Sequence, residues 1–304
     1  MSSPPNRTAG AKRSPTWSQT ASRLKAPDIT EVATNDGLLL VGCGNMGRAM
    51  LQGWLTAGFI HPNDVHVVEP AEALRAEARV LGVRTYASAE MLHAGFSPAT
   101  VVLAVKPQIM AAVLPAYRPH VTESVVVSIA AGVPVATLEA SLGEVPAVRA
   151  MPNTPAAIGK GSTVIFANAR VSPQQAERVT RLLSAGGAVH RVEHEALIDA
   201  ATALSGSGPA YVFHFIEALS AAGTQLGLPP RTALALARET VFGAGALAMA
   251  ASTPPAELRR QVTSPGGTTE AALRVLTEDD ALKTLVRAAA TAAYRRAVEL
   301  ARTA

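Results

Sequence analysis

At 304 residues, nearly half of them hydrophobic and 16% charged, the chain has ample apolar material for one large domain or two ordinary ones. Its formal charge of +4 is concentrated at one end: Arg7, Lys12, Arg13, Arg23 and Lys25 are five of the 27 bases, which leaves 22 bases against 23 acids beyond residue 27. A near-neutral body lacks the electrostatic footprint of a nucleic-acid-binding protein. The single cysteine, Cys43, excludes an internal disulfide and fits a reducing compartment.

Residues 1–36 are rich in Ser, Thr, Pro and Ala and lack hydrophobic periodicity, so a disordered extension is expected. Their Arg- and Ser-rich, acid-poor composition also fits an organelle transit segment, the alternative to a cytoplasmic location. From residue 37 to about 197, short β-branched runs alternate with helical patterns, the signature of βαβ units and a parallel sheet. The strands are expected at 38–41, 65–69, 100–105, 124–129, 147–150, 163–166 and 188–192, with helices at 46–57, 71–81 and 173–184 among them. Residues 198–304 read as helices alone, at 209–226, 231–251, 255–262, 267–276 and 281–303. The fold class is therefore α/β, an N-terminal doubly wound domain followed by an all-helical one. The run 234–251 is interrupted by Arg238 and Glu239, so it reads as a buried helix and not a membrane span. Gly243 and Gly245 allow close backbone approach along it. A small helical domain with so much apolar surface calls for a partner subunit.

The first chemical motif follows the first strand. Gly42-Cys43-Gly44-Asn45-Met46-Gly47 is G-x-G-x-x-G between a strand and a helix. In this pattern the first glycine makes a tight turn, the second lets the backbone approach a pyrophosphate, and the third permits close packing. The bare helix N-terminus attracts the phosphates. Glu69, 22 residues beyond Gly47, ends the second strand, where an acid accepts hydrogen bonds from an adenosine ribose and repels a 2′-phosphate. That position favours NADH over NADPH. Arg75 is the candidate for the opposite preference.

Further clues end later strands, where ligands bind in such sheets. Ala104-Val105-Lys106-Pro107-Gln108 and Met151-Pro152-Asn153-Thr154-Pro155 each read equally well as loop architecture or as cofactor contact. In the helical half, Ser205-Gly206-Ser207-Gly208-Pro209 precedes a long helix, with Ser207 or Gly208 as the cap. Val262-Thr263-Ser264-Pro265-Gly266-Gly267-Thr268-Thr269 opens another helix, and reads either as a well-made cap or as a carboxylate site. An alcohol dehydrogenase of this architecture needs a base, usually a lysine, on the helix after the first of these turns. Residues 209–223 contain none and offer only Tyr211, His214 and Glu217. The inventory thus favours reduction of an imine, where a protonated C=N is already electrophilic. A 3-hydroxyacid dehydrogenase and a nucleotide-sensing regulator are the competing readings.

Taken together, V-G-C-G-N-M-G, A-V-K-P-Q, M-P-N-T-P-A, L-S-G-S-G-P-A-Y and V-T-S-P-G-G-T-T resemble, in order and spacing, the pyrroline-5-carboxylate reductase family over residues 37–304. The resemblance implies a Rossmann-like domain and a helical dimerisation domain interlocked with a second subunit, in dimers that often form rings of five. It implies a reductase of the proline-forming step that uses NADPH or NADH, with a small imine carboxylate as substrate and no metal. Gly42, Gly44, Asn45, Met46 and Gly47 would bind the cofactor, with Glu69, Ala104, Lys106, Pro107 and Asn153. Val262, Ser264, Gly267, Thr268 and Thr269 would bind the substrate, with Thr269 at the ring nitrogen as the catalytic group. Glu69 departs from the small hydroxyl residue more usual in that family.

Overall fold

The computed structural model describes residues 37–303; the expected N-terminal extension, residues 1–36, lies outside the described residues. Eight strands form one sheet in the order β3-β2-β1-β4-β5-β6-β7-β8. They are β1 (Leu38–Val41), β2 (Val65–Val68), β3 (Arg84–Tyr86), β4 (Thr100–Leu103), β5 (Val125–Ser128), β6 (Ala147–Met151), β7 (Gly161–Ala167) and β8 (Gly187–Arg191). The helices of this half are α1 (Asn45–Thr56), α2 (Glu72–Val80), α3 (Pro107–Val113), α4 (Val135–Leu142) and α5 (Pro173–Ser184).

Because side chains alternate across a strand, a run buried on both faces must be apolar throughout. β1 illustrates this: all four residues are buried, Leu38 and Leu40 on one face and Leu39 and Val41 on the other. The first face packs with Leu51 and Trp54 of α1 and Val179 and Leu182 of α5, and the Trp54 indole donates to the Leu182 carbonyl at 2.9 Å. The second packs with Met110 of α3 and with Leu138 and Leu142 of α4.

Two features depart from the sequence expectation. β3 was not expected; it pairs with β2 by three residues and is only partly covered. The sheet is also not wholly parallel, because β7 runs antiparallel to β6. The short turn Thr154–Ile158, closed by Gly159 at φ +66°, reverses the chain within a span too short for a crossover helix.

Beyond β8 only helices follow: α6 (Leu197–Ala201), a π-helical turn at Thr202–Gly206, α7 (Gly208–Gln225), α8 (Pro230–Ala250), α9 (Pro255–Gln261), α10 (Thr268–Thr277) and α11 (Ala281–Thr303). Ser207 is the N-cap of α7 and Pro209 lies in its first turn, as expected, but the capping hydrogen bond is absent. Ser207 has helical dihedrals and makes no side-chain cap, so the π turn leads through this single residue into α7. The expectation that the helix near 234–251 is buried is also corrected, since α8 buries only Ala233 and Ala237. α8 is, by length and composition, the one helix among the described residues able to cross a membrane. It is not an isolated apolar rod, because α7 packs along it, with Gly223 against Ala233. Phe213, Phe215, Phe242, Leu285 and Val286, from α7, α8 and α11, are all exposed.

Candidate functional site

The turn after β1 is built so that only glycine fits. Gly42 has φ +89°, and a Cβ on it would lie 2.8 Å from the Ala104 carbonyl oxygen. A Cβ on Gly47 would overlap the Gly42 carbonyl oxygen. Gly44 differs from both: nothing lies within 4 Å of a Cβ built there, so it faces open space. It is the N-cap of α1, with no side-chain cap and no acid in the first turn. The first α-helical bond of this turn is Arg48 N–H to the Gly44 carbonyl. The N–H groups of Asn45, Met46 and Gly47 are therefore without helical acceptors. A backbone cradle with a vacant approach and a positive helix end is suited to a dinucleotide pyrophosphate.

The neighbouring strand ends complete this edge. Ala104 N–H donates to the Val41 carbonyl at 2.8 Å, which sets the Ala104–Pro107 segment beside the glycine turn. Lys106 is exposed and caps α3, with Pro107 in its first turn. The Thr154–Ile158 turn packs against α1.

Glu69 is not the free acid its position suggests. One carboxylate oxygen accepts from the Cys43 N–H at 2.8 Å and the other from the Ala71 N–H at 2.9 Å, so the side chain braces the glycine turn. Arg75 is likewise engaged, by the Glu69 and Pro70 carbonyls and the Glu72 carboxylate. The Cys43 thiol lies behind the turn, and burial, reinforced by the Glu69 charge, pushes its pKa up to about 11. It is a neutral packing group.

Asn153, expected at the cofactor, has both ends of its amide bound to protein. Oδ1 accepts from the Ser162 N–H at 2.9 Å, and Nδ2 donates to the Ser205 carbonyl at 3.0 Å. A buried ion pair that the sequence reading missed lies on the same strand. Arg149 of β6, only 3% exposed, reaches Asp199 of α6 at 2.6 Å and Glu195 at 3.4 Å, and Glu195 also accepts the Val135 N–H at 2.8 Å. An arginine among the apolar residues of a central strand was the available signal.

The second cradle lies between α9 and α10. Gly266 has φ +69°, and its N–H donates to the Glu270 carboxylate at 2.7 Å. Gly267 donates to the Ser264 carbonyl at 3.0 Å and caps α10 without a side chain. A Cβ on Gly267 would lie 2.5 Å from the Ser264 hydroxyl oxygen, which would have to turn away. The first helical bond is Ala271 N–H to the Gly267 carbonyl. The N–H groups of Thr268 and Thr269 are therefore left without helical acceptors. Val262 is exposed, Thr269 half-buried.

The structure brings Gly42–Gly47, Glu69 and Ala104–Pro107 together. It does not join the 262–269 loop to them: the loop's hydrogen bonds stay within residues 259–271, and α10 packs on α11 and the turn at Glu278–Asp280. The titratable groups of α7 include no lysine. His214 and Glu217 are exposed and pair with each other at 3.1 Å, and the Tyr211 hydroxyl donates to the Ala203 carbonyl.

Comparison with known proteins bears on both halves. Residues 195–300 match the family model described as pyrroline-5-carboxylate reductase dimerisation, and residues 38–132 match NADP oxidoreductase coenzyme F420-dependent. The pyrroline-5-carboxylate reductase of Pseudomonas aeruginosa is 43% identical over 267 residues, 87% of this chain and 96% of that protein. The solved pyrroline-5-carboxylate reductase of Coxiella burnetii superposes with a TM-score of 0.82 at 38% identity, covering 88% of this chain and 99% of the other. The Plasmodium falciparum pyrroline carboxylate reductase, solved with NADP bound, superposes with a TM-score of 0.77 at 30% identity, covering 88% and 98%.

Proposed function

Because the chain belongs to the pyrroline-5-carboxylate reductase family, we propose that it reduces the C=N bond of 1-pyrroline-5-carboxylate to give L-proline, with NADPH or NADH as hydride donor. The observation that carries this reading is the pair of backbone cradles, one at Gly42–Gly47 and one at Ser264–Thr269, in a chain with no lysine on α7.

The first cradle suits the nucleotide: Gly42 and Gly47 admit no side chain, while Gly44 leaves the approach clear. The N–H groups of Asn45, Met46 and Gly47 would hold its pyrophosphate, and Ala104, Lys106 and Pro107 would flank the nicotinamide ribose. The bound cofactor supplies a hydride to the imine carbon. The second cradle supplies the charge complement. The N–H groups at Gly267 and Thr268, with the Ser264 hydroxyl, would take the substrate carboxylate, and Val262 would cover the ring. The Thr269 hydroxyl would hydrogen-bond the ring nitrogen. A protonated iminium needs no strong base or acid, only orientation and exclusion of water.

The two cradles are not joined within one chain, and the apolar surface of α7, α8 and α11 is uncovered. Both facts support a site completed by two copies, in which the 262–269 loop of one subunit closes over the nucleotide half of the other. The match to a dimerisation family model supports the same reading. Gly243 and Gly245, with nothing within 4 Å of a Cβ in this chain, suit close approach by that second copy. Interlocked helices, and assembly of dimers into a decamer, belong to this proposal, as do a cytoplasmic location and a division into 37–197 and 198–304.

The test is direct: pyrroline-5-carboxylate is added to the protein with NADPH or NADH while nucleotide absorbance and proline are followed. Substrate-dependent oxidation with matching proline formation is expected; no oxidation with either nucleotide overturns the reading. Replacing Thr269 with Ala is expected to lower turnover and leave nucleotide affinity intact.

A further inference from the structure

The π turn at Thr202–Gly206 carries backbone carbonyls that its own helix does not satisfy. Ser207 N–H donates to the Thr202 carbonyl at 2.8 Å, five residues back instead of four. In a continuous α-helix the Ser205 carbonyl would take the N–H of residue 209. That residue is Pro209, which has no N–H. Asn153 Nδ2 supplies the missing donor at 3.0 Å, and the Tyr211 hydroxyl donates to the Ala203 carbonyl at 3.1 Å. The Thr202 and Ser205 hydroxyls bond back to the Ile198 and Ala201 carbonyls at 2.8 and 3.0 Å. Two carbonyls of this turn, those of Ala203 and Ser205, are thus met by side chains.

The turn also lies directly against the end of β6. A Cβ on Gly206 would be 2.6 Å from Met151 Cε, and Asn153 is fixed from behind by the Ser162 N–H. Four residues earlier on the same segment, Arg149 grips Asp199 at 2.6 Å. The β6 end therefore holds the helical half at two points, Asp199 and Ser205, just ahead of α7. A π turn is retained where a packing or functional gain offsets its poorer geometry. Its inserted residue rotates the following helix by roughly 100° relative to an unbroken α-helix.

We infer that Asn153 and Tyr211 are positioning residues: together they latch the π turn and so fix the register of α7 against the carboxyl ends of the strands. Asn153 thereby acts on hydride transfer through the joint between the two halves, and not as a nucleotide contact. The kinetic part of this inference rests on the proposed reductase reaction; the structural part does not.

Asn153→Asp is the sharpest variant, because it is nearly isosteric and keeps an acceptor for Ser162 while losing the donor to Ser205. Tyr211→Phe removes only the hydroxyl. Each is expected to lower kcat about tenfold, with nucleotide Kd by fluorescence titration unchanged, because a small misplacement of the reacting groups costs rate and not affinity. Combined, they are expected to cost less than the product of the single effects, since both act on one turn. In hydrogen exchange the amides of residues 202–208 are expected to open faster in both variants while those of residues 38–47 stay protected. The exchange result reads the latch even if the wild-type protein does not reduce the pyrroline. Weaker nucleotide binding by Asn153→Asp with kcat at saturation retained would overturn the inference, as would unchanged exchange at residues 202–208. If Asn153→Asp does not fold, Tyr211→Phe carries the same expectations alone.

Discussion

The two halves of this chain solve the problem of burial in opposite ways. In the sheet half, β1, β2, β4 and β5 have no exposed residue, and two apolar clusters fill both faces. In the helical half, α7 and α10 bury nothing, and α8 buries only two alanines. The sheet half is a solvent-excluding body with an open glycine cradle at one edge. The helical half is apolar surface without a cover, carrying a second cradle on a loop that stands apart. On the proposed reading, a monomer would hold the cofactor but would not finish the site.

The largest effect should come from breaking the uncovered surface. Phe242 is 75% exposed and Val80 is 86% exposed, so within one chain they are equivalent surface residues. Phe242→Asp is expected to yield monomers on size exclusion and to lower activity by about a hundredfold or more, because it places an unpaired charge in the proposed subunit contact. Val80→Asp on α2 is expected to change stability by no more than about 0.5 kcal/mol. Equal effects from the two substitutions would remove the distinction between the halves.

Within the glycine cradle, Gly47 and Gly44 separate by mechanism. Gly47→Ala must push the Gly42 carbonyl aside and is expected to cost about 1–3 kcal/mol of stability as overpacking, read as a lower denaturation midpoint. Gly44→Val meets no protein atom at its Cβ, so the denaturation midpoint is expected to hold while nucleotide binding is lost.

Acid sensitivity should also belong to the sheet half. His66 lies buried on β2, and burial, reinforced by Arg84, pushes its pKa down to about 4. The unfolded chain takes up this proton near the ordinary histidine value while the folded chain resists, so stability is present above about pH 6.5 and declines as pH falls toward 4. Unfolding free energies at pH 7 and pH 4.5, from denaturant titration, are expected to differ by roughly 2 kcal/mol more in the wild type than in His66→Gln.

The smallest effect concerns nucleotide choice. Removing the charge in Glu69→Ser is expected to improve NADPH relative to NADH by about tenfold, the size of one like-charge contact near a surface. The same change loosens Cys43 N–H, so both nucleotides should bind somewhat less well. An unchanged ratio would leave Glu69 as a brace of the turn alone.

Much of this could be read before the structure was in hand, and the gaps have physical causes. β1 and the glycine turn were legible because a doubly covered strand must be apolar and a cradle without Cβ atoms must be glycine. β3 was not, since Arg84-Thr85-Tyr86 is too short and too polar to stand out as a strand. The reversal at β7 depended on how the Thr154–Ile158 turn closes, which no periodicity records. Glu69 and Asn153 were noticed as polar residues at strand ends. That their polar atoms are answered by Cys43, Ala71, Ser162 and Ser205 depended on partners distant in sequence. The π turn is hidden for the same reason: Pro209 announces the start of α7, and the turn before it depends on Asn153, distant in sequence.

The claim that each site draws on two chains has one decisive measurement. Gly44→Val should abolish nucleotide binding in one cradle, and Thr269→Ala should impair the other, each leaving a feeble enzyme. When the two variants are mixed and allowed to exchange subunits, half the dimers contain one chain of each kind. One of the two sites in such a dimer is then built from intact parts, so activity is expected to rise to about a quarter of wild type. Activity that stays at the average of the two parents would contradict the account and return both cradles to a single chain.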